Sequence, residues 1–137
     1  MADTHCLIAV PASDTGNGSL AMFQHQGIKS IVPFPIKKVL IVSGMKPGDE
    51  RGKHAHHETQ EIIFPIEGGC EVEIDDGKKK QVVQLRGKSQ ALLLPARVWR
   101  TLRKFDEKTI LLIIADQEYD ERDYIRSYEE FLSVLAE

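Results

Sequence analysis

Residues 48–68, GDERGKHAHHETQEIIFPIEG, hold three of the five histidines of the chain. His54 and His56 are two positions apart, and such side chains point to the same face of an extended strand. His57 is then expected on the opposite face, in solvent or against another subunit. The flanking glycines let the chain turn at both ends of this stretch. We therefore interpret His54 and His56 as a candidate functional pair rather than as an exposed strand edge.

Composition places the chain among ordinary globular proteins. It has 137 residues, 42% of them hydrophobic and 28% charged, which suits one domain over residues 1–137 with a sizeable core. The net charge of −3 argues against a nucleic-acid partner. No apolar run reaches the roughly 18 residues that span a bilayer, and the N-terminus lacks the positive region of a signal peptide. We expect a cytoplasmic protein, in which Cys6 and Cys70 are reduced and mostly buried.

Short β-like runs separated by turn residues dominate the pattern. Residues 70–75 alternate apolar and acidic side chains, Asp76-Gly77 is typical of a hairpin turn, and residues 82–85 form the return strand. Residues 91–94 and 110–114 are continuously apolar, as in strands covered on both faces. Only the end is helical, where Ser127 and Glu130 form a capping box. The sequence predicts an all-β sandwich or small barrel with a short C-terminal helix.

The histidine pair belongs to a longer motif, G-x5-H-x-H-x4-E-x6-G, which resembles the first signature of the cupin superfamily. Its fixed positions are Gly48, His54, His56, Glu61 and Gly68. Two histidines and a carboxylate suit Zn, Fe or Mn. The usual metal-binding cupin adds a histidine from a second motif, where this chain has Arg100. A guanidinium does not ligate metals and repels cations, so we predict that no metal is bound and no cofactor is needed.

Neutral imidazoles that are not metal ligands can transfer protons near neutral pH. Guanidinium groups match phosphate oxygens, so the nearby arginines favour a substrate that is anionic at one end. The two proton-transferring histidines favour a substrate that is enolisable at the other end. The candidate catalytic residues are His54 and His56. The candidate substrate-binding residues are Arg51, Arg97, Arg100, Arg103, Glu61 and Trp99. Trp99 suits either stacking on a base or filling the core. We interpret Tyr119, Asp120 and Tyr124 as structural, since they lie between the last long strand and the helix.

Four segments resemble the sugar-nucleotide 3,4-ketoisomerases, the WxcM-like cupins. They are RGKHAH at 51–56, LLLPARVWRTLRKF at 92–105, ADQEYDERDYIRSYEEF at 115–131 and PFPIKKVLIV at 33–42. The resemblance implies a cupin double-stranded β-helix (jelly roll) subunit, usually in a homodimer that exchanges an N-terminal strand. It implies that the carbonyl of a dTDP-4-keto-6-deoxyhexose moves from C4 to C3 through an enediol, without metal or cofactor. His54 and His56 would carry the protons, and Arg51 would hold the substrate or the enediolate.

The chain departs from that family at several positions. Leu40 and Ile41 stand where family members tend to carry tyrosines, and Arg100 and Arg103 stand at histidine positions. Three other functions are therefore considered. They are a related 3,5-epimerase, a non-catalytic nucleotide-sugar-binding cupin, and a metal-dependent cupin.

Overall fold

The computed structural model describes residues 4–14 and 16–137 and is dominated by antiparallel strands. In chain order the strands are β1 (Cys6–Ala9), β2 (Ala12–Asp14), β3 (Ser19–Ala21), β4 (Lys38–Ser43), β5 (Arg51–His56), β6 (Glu61–Glu67), β7 (Gly69–Asp75), β8 (Lys80–Arg86), β9 (Gln90–Leu94), β10 (Trp99–Arg103), β11 (Ile110–Ala115) and β12 (Tyr124–Ile125). A short 3-10 helix, Glu121–Asp123, precedes β12, and helix α1 (Tyr128–Leu135) follows it. The prediction of an all-β fold with a short C-terminal helix is confirmed.

Two five-stranded sheets form the body of the fold. The first has the spatial order β1-β9-β6-β11-β4, and the second has the order β12-β5-β10-β7-β8. Strands β2 and β3 pair separately. Neighbours in space are often distant in sequence, as in the pairing of β6 with β11 and of β5 with β10. This order brings the histidine-bearing strand next to β10, which carries Arg100.

The main core lies between the two sheets. Its buried members come from both, for example Ile63 and Leu111 of the first sheet and Val72 and Leu102 of the second. The predicted hairpin at Asp76-Gly77 joins β7 to β8. The turn is made possible by the positive φ at Gly77, a conformation that costs glycine little.

A second apolar cluster covers the outer face of the first sheet. Phe23, Val32 and Phe34 from the segment between β3 and β4 pack there against Ile62 and Phe64 of β6. This packing explains why the interior of β6 (residues 62–66) and most of β9 (residues 91–94) are apolar, since both faces of these strands are covered there.

A third cluster joins the C-terminal helix to the second sheet. Phe131 and Val134 of α1 are buried against Ala55 and Ile125. Ser127 caps the helix by accepting a hydrogen bond from the backbone N–H of Glu130, as predicted. This docking places β12 along β5, the strand that carries the histidines.

The prediction of mostly buried thiols is correct for Cys70 and wrong for Cys6. Cys6 is exposed because β1 is the outermost strand of its sheet. In the part of the chain that the structure describes, no helix is long and apolar enough to cross a membrane.

Candidate active site

A cavity of about 260 Å³ opens between the two sheets. The wall contributed by the first sheet is mostly apolar, with Leu40 and Val42 of β4 and Leu111 and Ile113 of β11. The opposite wall, from the second sheet and the residue after β12, supplies most of the polar groups. The polar lining residues are Arg51, His54, Glu61, Arg100, Tyr124 and Arg126. Apolar walls with a few convergent polar groups are typical of a small-molecule site.

The two histidines contact each other as the spacing predicts, but only one lines the cavity. The Nε2 atoms of His54 and His56 are 3.2 Å apart, and the rings meet edge to face. His54 lies on the cavity wall, whereas His56 is 1% exposed and lies behind it. A ligand in this cavity would therefore contact His54 rather than His56.

A β-bulge brings Arg51 to the same cavity. His54 pairs with Arg100 and Gly52 with Thr101, so Lys53 is an extra residue in β5. In a regular strand, side chains three positions apart point to opposite faces. The extra residue restores Arg51 to the side of His54, which is how bulges re-aim side chains. Gly52 has a φ of 85°, and a Cβ there would lie 3.2 Å from the carbonyl oxygen of Arg100.

Both imidazoles are held neutral at neutral pH. Burial, reinforced by the Arg100 guanidinium, lowers the pKa of His54 to about 3 and that of His56 to about 4. Glu61 and Asp123 act in the opposite direction on His56 but are outweighed. A neutral ring has one nitrogen free to accept a proton, so His54 can serve as a base where it meets the cavity.

Arg100 and Glu61 form a buried ion pair beside the histidines. Nη1 of Arg100 lies 2.5 Å from Oε1 of Glu61, and their side chains are 2% and 5% exposed. Burial is the largest single influence on Glu61 and opposes its ionisation, but the charge and hydrogen bond of Arg100 together with the neighbouring histidines outweigh burial, and the pKa of the carboxyl is lowered. Among the described residues, Nε and Nη2 of Arg100 have no hydrogen-bond partner. Buried donors without partners are costly, so these N–H groups are suited to an oxygen of a ligand in the cavity.

The other predicted substrate-binding residues lie outside the cavity. Arg97 is exposed between β9 and β10, where its Nε donates to the carbonyl oxygen of His57. Arg103 pairs with two glutamates of β7 on the outer side of the second sheet. Trp99 packs against Phe131 of α1. Alternation along β10 accounts for this separation, since Arg100 faces inward and positions 99 and 103 face outward.

Sequence reasoning missed two polar residues of the cavity, Tyr124 and Arg126. Tyr124, interpreted above as structural, lies on the cavity wall with its ring 5.2 Å from that of His54 and 4.6 Å from that of His56. Arg126 stacks on Tyr124 at 4.3 Å from the ring centroid. The alternation of residues 124 and 126 is a weak signal for a shared face, and β12 is too short to establish it. Asp120 is structural as expected, because it caps the 3-10 helix.

His54, His56 and Glu61 are the described residues that could hold a metal ion, since their ligand atoms lie within 4.8 Å of one another. The ligand set suits a divalent ion. Its electrostatic setting does not, because the Glu61 oxygen nearest to His56 is already paired with Arg100. A cation would have to compete with a buried guanidinium for that carboxylate. The residues present therefore fit a divalent metal poorly.

Acid sensitivity is the first testable consequence of the buried imidazoles. Above pH 6.5 they are neutral in both the folded and the unfolded chain. As the pH falls below 6.5, the unfolded chain takes up protons that folded His54 and His56 refuse until about pH 3 and 4. The free energy of unfolding is therefore expected to fall, by at most about 1.4 kcal/mol per pH unit for each histidine.

Urea unfolding at pH 7, 6 and 5 measures this slope, and His54→Asn/His56→Asn is the control. The lowered pKa of Glu61 matters only nearer pH 4.5 and below, so the window from 6.5 to 5 reports on the histidines. An equal slope in the double variant would contradict the assignment.

Comparison with known proteins agrees with this geometry. A protein-family model described as FdtA: WxcM-like, C-terminal, matches residues 3–136. A TDP-4-oxo-6-deoxy-α-D-glucose-3,4-oxoisomerase from Aneurinibacillus thermoaerophilus is 32% identical over 105 residues, which are 77% of this chain and 76% of that protein.

Solved structures show the same similarity. A 3,4-ketoisomerase from Helicobacter canadensis aligns with a TM-score of 0.90 and 30% identity, over 97% of this chain and 98% of its own. The sugar 3,4-ketoisomerase QdtA from Thermoanaerobacterium thermosaccharolyticum, solved in complex with TDP, aligns with a TM-score of 0.88 and 26% identity, over 97% and 95% of the two chains. The resemblance drawn from the sequence is confirmed: the chain belongs to the FdtA family of WxcM-like proteins.

Proposed function

We propose that this protein is a TDP-sugar 3,4-ketoisomerase that moves the carbonyl of a TDP-4-keto-6-deoxyhexose from C4 to C3. One observation of the site carries the proposal. A neutral imidazole, His54, and a buried guanidinium with unpartnered N–H groups, Arg100, line the same cavity. The named activities of the similar proteins support the same reaction.

The reaction requires a base beside a carbon and a cation beside an oxygen. His54 takes the proton from C3, and the electron pair of that bond moves to O4, where Arg100 stabilises the developing charge. Protonation of O4 gives the enediol. Loss of the O3 proton then forms the C3 carbonyl, and a proton is delivered to C4. The net change is one hydrogen from C3 to C4 and one from O3 to O4, so no oxidant or reductant is needed.

The remaining polar lining is suited to the nucleotide end and to the sugar oxygens. Arg51 and Arg126 are the other guanidinium groups of the cavity, and guanidinium matches diphosphate oxygens. The pKa of Tyr124 is raised by burial and by Glu61, so its phenol keeps its proton and can donate a hydrogen bond to a sugar oxygen. Arg97, Arg103 and Trp99 lie away from these groups and are not assigned to the substrate in this proposal.

Turnover of TDP-4-oxo-6-deoxyglucose in deuterated buffer, followed by NMR, tests the function. We expect loss of the C4 ketone and appearance of a C3 ketone, with unchanged activity after treatment with a chelator. Inversion at C3 and C5 with the ketone still at C4 would instead identify a 3,5-epimerase. Ligand-dependent thermal stabilisation without any chemical change would identify a non-catalytic binding protein.

We also propose that the functional unit is a homodimer. Leu20 and Ile41 are 61% and 67% exposed, and an apolar groove of about 290 Å³ lies between β3 and the outer face of the first sheet. Exposed apolar surface of this kind is typical of an interface. The family resemblance favours a second copy of the chain as its occupant. Sedimentation velocity is expected to give twice the monomer mass, and the monomer mass would contradict the proposal.

The location and domain content follow as proposals of the same kind. We propose that residues 1–137 act as one cupin domain in the cytoplasm. Cys6 and Cys70 are free cysteines, and Cys6 is exposed. Exposed free thiols are typical of reducing compartments.

A further inference from the structure

Behind His56 lies a carboxylate that the proposed reaction does not use. Oδ2 of Asp123 is 3.2 Å from Nδ1 of His56, on the side of the ring away from His54. Three groups therefore follow one another with increasing distance from the cavity between the sheets: His54, then His56, then Asp123. The last of them also borders a second, strongly polar cavity on the other side, and its side chain is 16% exposed.

The carboxylate of Asp123 accepts each of the hydrogen bonds in which it takes part. The backbone N–H groups of Glu58 and Thr59 donate to it at 2.9 and 3.2 Å, and the Thr59 hydroxyl donates to its Oδ2. These donors fix the carboxylate on the turn that follows β5. A carboxylate that only accepts leaves one favourable arrangement for a neighbouring imidazole nitrogen, in which that nitrogen carries the proton.

The proton on Nδ1 determines what the other nitrogen can do. His56 is neutral and therefore has one ring proton. If that proton is on Nδ1, then Nε2 carries a lone pair and faces Nε2 of His54, 3.2 Å away. His54 can then donate to His56, and His56 can take over a proton that His54 has gained from a ligand.

The contact between Nδ1 of His56 and the carboxylate of Asp123 does not have the alignment of a hydrogen bond. Within the described part of the chain, Nδ1 of His56 is buried and has no hydrogen-bond partner, although Asp123 is close. Hydrogen bonds of catalytic groups are often poorly aligned before a ligand binds. Because this nitrogen has no other partner among the described residues, the Asp123 carboxylate is the acceptor that lies within reach of it.

We propose that Asp123 is a positioning residue that holds the proton of His56 on Nδ1 and so directs the lone pair of Nε2 toward His54. The consequence for catalysis rests on the proposed function, whereas the position of the ring proton does not. Asp123 is not a catalytic residue in this account, because it lies behind two rings and does not line the cavity between the sheets.

The position of the ring proton is measured by nitrogen NMR of protein labelled at histidine, without any substrate. We expect His56 to be protonated on Nδ1 in the native protein. A native His56 protonated on Nε2 would overturn the proposal, whatever the variants do. If the protein shows the expected tautomer but does not isomerise a TDP-sugar, the proposed function fails and the positioning inference stands.

Asp123→Asn supplies the second measurement. The amide keeps the size of the carboxylate but lacks its charge, and it can turn its NH₂ group toward the ring. We expect loss of the single Nδ1-protonated form and a fall in kcat on the order of 100-fold, with KM changed less than about threefold. An unchanged kcat would contradict the proposal.

The matched control is Asp116→Asn. Asp116 is a buried carboxylate on the same connection, where it accepts from the backbone N–H and the side-chain amide of Gln60. Among the described residues, it forms neither a hydrogen bond nor an ion pair with His54 or His56. If Asp123→Asn lowered kcat only by loosening the connection between β11 and β12, then Asp116→Asn, which loosens the same connection, would lower kcat to the same extent. We expect it to lower the melting temperature while leaving the His56 tautomer and kcat near their native values.

Discussion

Replacing His54 by asparagine is expected to lower kcat on the order of a thousandfold, because the side chain that reaches the cavity would no longer accept a proton. Asparagine keeps the approximate size and hydrogen-bonding capacity of the ring, so the fold should survive. His56→Asn is expected to cost nearly as much, since its Nε2 is in direct contact with that of His54. Turnover of TDP-4-oxo-6-deoxyglucose by NMR measures all three variants, including the double.

The fall in kcat of the double variant tests whether His54 and His56 act together in proton transfer. Two groups that act as one unit give strongly non-additive losses, so the double variant should be no slower than the slower single variant. A fold-loss of kcat in the double variant equal to the product of the two single-variant losses would show that the rings act independently. His57→Asn is the matched control, because His57 follows β5 and does not line the cavity. Wild-type turnover in either single variant would exclude that ring from proton transfer.

Replacing Arg100 by methionine is expected to lower the free energy of unfolding by about 3–5 kcal/mol. The change leaves the Glu61 carboxylate buried without its partner, and an uncompensated buried charge is strongly destabilising. Turnover should also fall, on the order of 100- to 1000-fold, since the donors for the developing oxyanion are removed. Urea unfolding measures the first effect and the NMR assay the second.

A second change separates the two roles of Arg100. In Arg100→Met/Glu61→Met, both buried charges are gone, and apolar replacements of an ion pair are often neutral or stabilising. We therefore expect recovered stability and unrecovered turnover. A double variant as unstable as the single one would show that the isolated carboxylate is not the cause. Recovered turnover would remove Arg100 from the chemistry.

The sequence was most informative where a rule depends on neighbouring residues. The spacing of His54 and His56 predicts a shared face, and the Asp76-Gly77 turn predicts the hairpin of β7 and β8. The alternation rule applied to β10 would also have separated Arg100 from Arg103, which were grouped by charge alone.

Other features depend on contacts that a single segment does not reveal. Arg51 reaches the cavity only because Lys53 is an extra residue opposite β10, and such a bulge depends on the partner strand. Tyr124 and Asp123 reach the histidines because β12 pairs with β5, which precedes it by more than sixty residues in the chain. A two-residue strand has no periodicity of its own, so its role was not predictable from local sequence.

The cavity has one mostly apolar wall and one mostly polar wall, and each comes from a different sheet. Substitutions at Leu40, Val42 or Ile113 would reshape the space offered to a sugar without touching His54 or Arg100. Discrimination between hexoses can thus diverge on one layer of the protein while the reacting groups stay in place on the other. Libraries restricted to β4 and β11 are accordingly the natural starting point for altering substrate choice.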